Sequence, residues 1–133
     1  VFEPDEKIQP IKFKVDEVLG QGNGSVYVYY YDVYREIAEI KEERFWPCKI
    51  GMSDKDGMDR IFSQAGTAYP EAPHIALMIK CGSPRDVENA LHAILKVRGQ
   101  WISDAPGTEW FLTSPDDVKH IYYALVQTQN ENL

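Results

Sequence analysis

Apolar and polar positions change period several times along the chain, and each change marks an element. Ser25-Val26-Tyr27-Val28-Tyr29-Tyr30-Tyr31 and Pro47-Cys48-Lys49-Ile50-Gly51 are short runs of β-branched and aromatic residues, the types that fit a pleated half-buried surface. They predict two strands of one hairpin, at roughly 25–31 and 46–52. Between them, Val33, Ile37, Ile40 and Arg44 recur at helical spacing within a charged stretch, which predicts a short amphipathic helix. Upstream, residues 1–24 form an extended lead-in in which Ile11-Lys12-Phe13-Lys14-Val15 alternates as a short strand with its lysines to solvent. Gly20-Gln21-Gly22-Asn23-Gly24 then breaks the chain. A dinucleotide-binding glycine run opens a helix, whereas here a strand follows, so the run reads as a turn.

Ser53-Asp54-Lys55-Asp56-Gly57 signals a turn and a helix start, and a helix of about ten residues carrying Arg60, Ile61, Phe62 and Ala65 follows, ended by Gly66. His74-Ile75-Ala76-Leu77-Met78-Ile79 is uniformly apolar, the pattern of an interior strand covered on both faces. Ser83-Pro84-Arg85-Asp86 and Ser114-Pro115-Asp116-Asp117 are helix starts: serine caps, proline fits the first helical position, and aspartate three residues on answers the cap. They predict helices at about 84–98 and 115–128, with a last strand ending in Thr108-Glu109-Trp110-Phe111-Leu112 between them. The order implies an α+β fold, a small mixed sheet of three or four strands flanked by helices, with the domain at 25–128 and a tail at 129–133.

At 133 residues the chain makes one domain with a real core. No apolar run approaches the length of a membrane span, and no secretory signal is visible. The expectation is a cytoplasmic protein with no membrane partner. The chain opens on Val1 rather than methionine, the pattern of a processed product or a piece of a longer protein with further domains. Cys48 and Cys81 belong to apolar strand-like runs and are expected as free thiols, and no cysteine or histidine cluster has zinc spacing. The net charge of −7 argues against a broad basic face for nucleic acid. It leaves room for a small basic groove.

Two places could carry chemistry. Tyr27 and Lys49 lie on neighbouring strands, where a phenol and an amine can tune one another and meet one substrate. The plain alternative is a tyrosine-rich sheet with a surface lysine. On the helix from Pro84, Val87, Ala90, Leu91, Ile94 and Leu95 fall on one arc, with Glu88 at its margin and His92 one turn further. A carboxylate there can bind a hard cation through oxygen; the alternative is a solvated glutamate paired weakly with His92.

The joint pattern of Val26-Tyr27, Lys49-Ile50-Gly51, Arg60, Val87-Glu88-x-x-Leu91-His92 and Glu109-Trp110-Phe111 resembles the GIY-YIG nuclease superfamily over roughly residues 25–125. The nearest likeness is to its branch with Lys-Ile-Gly as the second motif, a phage-type DNA-binding domain. The resemblance implies a magnesium- or manganese-dependent endonuclease domain that hydrolyses DNA, within a larger phage- or restriction-related protein. It also implies a site of Tyr27, Lys49, Arg60 and Glu88, with Glu88 as metal ligand. On that reading Lys49 favours the Tyr27 phenolate as general base, Arg60 neutralises phosphate charge, and His92 orients Glu88 or a metal-bound water. The rival reading is a non-catalytic DNA-binding or protein-interaction module of the same fold.

Overall fold

The computed structural model describes residues 14–54 and 72–131. Strands β2 (Gly24–Tyr30) and β3 (Trp46–Ser53) pair antiparallel, with Tyr27 opposite Gly51 and Tyr29 opposite Lys49. On the other side of β2 runs β4 (His74–Cys81), also antiparallel. The edges are β1 (Val15–Gly20), parallel to β4, and β5 (Trp110–Thr113), antiparallel to β3. The sheet order is β1-β4-β2-β3-β5, an α+β arrangement in which β4 is interior, as its apolar run predicts.

The sheet is one strand wider than the sequence pattern suggests, and the extra width comes from β1. A strand was expected at 11–15, whereas β1 begins at Val15, and residues 11–13 lie outside the described residues. Val15-Asp16-Glu17-Val18-Leu19 has no clean alternation. Its strand state follows from parallel pairing along β4, from Val15 opposite Ile75 to Gly20 opposite Lys80, which no local pattern encodes. The turn into β2 uses Gly20 and Gly22 at φ 73° and 148°, where a side chain would be strained.

Three helices complete the described structure: α1 (Asp32–Ile40), α2 (Pro84–Val97) and α3 (Pro115–Glu131). Helix α1 fills the long interval between β2 and β3. The two predicted caps differ in outcome. Ser114 Oγ accepts from the Asp117 backbone N–H at 3.1 Å, a true cap for α3. Ser83 makes no side-chain cap; its hydroxyl donates to the Asp86 carboxylate instead.

Strand alternation gives the sheet two different faces. Val26, Val28, Ile50, Leu77, Ile79 and Phe111 point to one side and form the main core with Leu91 and Leu95 of α2 and Val118 and Ile121 of α3. Tyr27, Tyr29, Ile75 and Met78 form a second buried cluster, with Val15 and Trp110 packed against it. A bulge between Val28 and Tyr29 shifts the register so that Tyr29 meets Ile75, leaving Ala76 as the extra residue. Cys48 and Cys81 are both free thiols. No helix among the described residues is long and apolar enough to cross a membrane.

Candidate functional site

The tyrosine-bearing face is built by β2, β3 and β5. Tyr27 is fully buried and lies across the neighbouring strand at Gly51. A Cβ at Gly51 would stand 2.5 Å from the Tyr27 hydroxyl oxygen and 2.7 Å from Cε2 and Cζ of its ring. Glycine in Lys49-Ile50-Gly51 is therefore what admits the phenol over β3. Lys49, two residues along the same strand, shares that face, and its Nζ lies 5.7 Å from the centre of the Tyr29 ring.

The aromatic rings around Lys49 are ordered. Tyr27 and Tyr29 stack at 6.0 Å between centroids, 3° from parallel. Tyr31 and Trp110 are 21° from parallel at 6.3 Å, and Tyr29 meets both edge-on, at 68° and 77°. These rings, with Tyr34, Pro47 and Lys49, border a cleft of about 330 Å³. Ile102, Ala105 and Pro106 bring the segment before β5 to its rim. Sequence reasoning singled out Tyr27 and Lys49 and missed this cleft. Its signal was present in the three consecutive tyrosines at 29–31, but Trp110 and the 102–106 segment join them only through β3–β5 pairing.

Glu88 and His92 are carried by α2, which packs on the opposite face of the sheet, over β2 and β3. His92 is held there. Its Nε2–H donates to the Ile50 carbonyl at 2.9 Å, and its ring meets Phe111 at 4.8 Å. Burial lowers its pKa, more than the hydrogen bond to Ile50 and the nearby Glu109 raise it, which keeps the ring neutral at pH 7. Glu88 is half-buried one turn before it. The described structure thus brings Tyr27 and Lys49 together on one face and carries Glu88 and His92 on the layer across the sheet. Arg60, and the helix predicted around it, lie outside the described residues.

Among the described residues no group of three or more His, Cys, Asp or Glu is placed to hold a metal ion. The donor set therefore fits a divalent cation only in a sparse form, one carboxylate with water in the remaining positions. Magnesium is held in that way in many phosphate-handling sites.

The family model described as the T5orf172 domain matches residues 24–126, most of the chain, from the start of β2 into α3. No curated protein and no solved structure matches the chain. The chain belongs to the T5orf172 domain family. That finding corrects the resemblance to the GIY-YIG nuclease superfamily, whose motifs are each only one to six residues long and made of ordinary strand and helix residues. The chain also departs from the usual form of that pattern: Ser25 stands where the first motif usually has a glycine, and α1 lengthens the interval between the two motifs.

Proposed function

We propose that this member of the T5orf172 domain family is a metal-dependent endonuclease domain that hydrolyses DNA phosphodiester bonds, with Tyr27 and Lys49 on its tyrosine-bearing face and Glu88 on the helical layer across the sheet as its site residues. The observation that carries the reading is the crossing of Tyr27 over Gly51 beside Lys49. A phenol and an ammonium held on adjacent strands offer a base for water and a charge for phosphate, the two services phosphodiester hydrolysis needs most. Lys49 attracts the phosphate through its ammonium charge. The part expected of Arg60, offsetting phosphate charge, falls outside the described residues. His92, with Nε2 committed to the Ile50 carbonyl, fixes α2 against β3 and so the position of Glu88. Glu88 is the carboxylate that would hold magnesium or manganese, which when bound would neutralise charge on a phosphate oxygen.

Two observations favour a second reading, a DNA-binding module without catalysis. Tyr27 is fully buried, and α2 with Glu88 packs across the sheet from it. The deciding assay offers supercoiled, linear, branched and single-stranded DNA with manganese at low salt. Tyr27→Phe keeps the ring and removes the oxygen, so it should remain folded by circular dichroism while cleavage falls by roughly two to four orders of magnitude. Equal cleavage by this variant would remove Tyr27 as base, and binding without cleavage by the native protein would leave the module reading.

A further inference from the structure

The cleft beside Lys49 has a composition that none of the roles above explains. Its walls are aromatic: Tyr31 and Trp110 nearly parallel, Tyr29 edge-on to both, and Tyr34 at the rim, 43% exposed. Here they border about 330 Å³ of open space, within the range of pockets that hold a small ligand.

Charge selects among the ligands an aromatic cleft can take. Aromatic boxes also capture quaternary ammonium ions, through the negative faces of the rings. In this cleft a cation is already in place, because Lys49 lines it with Nζ 5.7 Å from the Tyr29 ring centre. A second cation would be repelled. An uncharged planar ring that carries an anionic group satisfies both features, the ring on the tyrosines and tryptophan and the anion on the ammonium.

We propose that this cleft is a subsite for one unpaired nucleobase of a DNA strand, stacked among Tyr31, Tyr34 and Trp110, with its phosphate at Lys49. The inference rests on the nucleic-acid reading of this face and not on its catalysis. Because a base inside a duplex keeps its faces stacked on its neighbours, the subsite selects single-stranded or locally opened DNA. Base-on-ring stacking depends little on salt and little on base identity, which suits an acidic domain that cannot hold DNA by charge alone.

The test compares two labelled single strands of equal length, oligothymidylate and the same backbone with abasic sites, by fluorescence anisotropy at low salt. Both carry the same phosphates, so their difference isolates the bases. The native protein should prefer the base-bearing strand by about 5- to 100-fold, the range expected for one stacked base. Tyr31→Leu should bring that ratio close to one. Tyr34→Ser, at an exposed rim position, is the second variant in case the first disturbs the tyrosine cluster, and should reduce the ratio with an unchanged melting curve. Lys49→Gln should weaken both strands alike. Equal native affinity for the two strands, or no binding of either, overturns the proposal, as does full discrimination in both folded tyrosine variants. Saturable binding of tetramethylammonium in preference to the oligonucleotide would also overturn it, assigning the cleft to cations. Cleavage without base discrimination sinks the subsite and spares the nuclease; discrimination without cleavage supports the subsite and sinks the nuclease.

Discussion

His74 at the start of β4 shows how one side chain makes this fold sensitive to pH. Its Nδ1 bonds Asp32 at 2.7 Å and its Nε2 bonds Asp16, so the ring ties the start of α1 to β1 across the end of the sheet. Tyr30 stacks on the ring at 4.8 Å, and Arg35 approaches the same Asp32 oxygen at 3.7 Å. Burial pulls the His74 pKa down, but the hydrogen bonds its ring donates to the two carboxylates, and their charges, outweigh it, and the net direction is up from 6.5. A pKa raised on folding means stability that is fully present below the ordinary histidine value and is lost as pH rises through the folded one. His74→Gln should therefore cost more near pH 5.5 than near pH 9, by about 1 kcal/mol given that both carboxylates are partly exposed. Thermal melts of the two proteins across that range are the check, and a constant gap would contradict it. Nothing in the neighbourhood of His74 in sequence announces this network, because Asp16 and Asp32 reach it only once β1 and α1 are in place.

Asp117 does for the elements what His74 does for one corner. It receives Thr113 Oγ1 at 2.6 Å from β5, Gln100 Nε2 at 3.1 Å and Arg98 Nη1 at 3.0 Å from the end of α2, while its own N–H is capped by Ser114. Two helices and the edge strand thus meet on one nearly buried carboxylate. Burial alone would raise its pKa; the three donors and the Arg98 charge turn the direction downward. Such a group stabilises the fold above the ordinary carboxyl range and loses its effect as pH falls through the lowered value. Asp117→Ala should cost roughly 2–3 kcal/mol at neutral pH, with a smaller cost at acid pH, read by denaturant unfolding. The helix starts at Pro84 and Pro115 were legible because capping chemistry is local. The role of the aspartate at 117 was legible only in part: the motif placed it at the third position of α3, but its donors come from residues 98–113, which tertiary structure brings to it. The same limit explains β1, whose strand state comes from β4, and the aromatic cleft, whose Trp110 wall comes from β5.

On the scale of the whole molecule, the two faces of the sheet divide the work, and their legibility differs for a physical reason. The helix-covered face was readable from periodicity, because Leu91, Leu95, Val118 and Ile121 follow helical spacing and Val26, Val28 and Ile50 follow strand spacing. The tyrosine face was readable only as candidates, since Tyr27 and Lys49 gain meaning from Gly51 across the strand pair. A net charge of −7 constrains what that face can do with DNA. Each phosphate neutralised contributes a slope of about −0.7 to log affinity against log salt on a single strand. A broad basic surface would give a slope of about −6 or steeper. A domain that relies on a few cations such as Lys49 and on ring stacking should show a slope no steeper than about −2, and a residual affinity that salt does not remove. Titrating single-stranded DNA binding between about 50 and 200 mM salt measures it. A steep slope would place the binding surface on a basic patch away from the tyrosine face. A shallow slope that flattens further in Lys49→Gln, while the preference for base-bearing strands persists, would assign the charge contact to Lys49 and the remaining affinity to the rings.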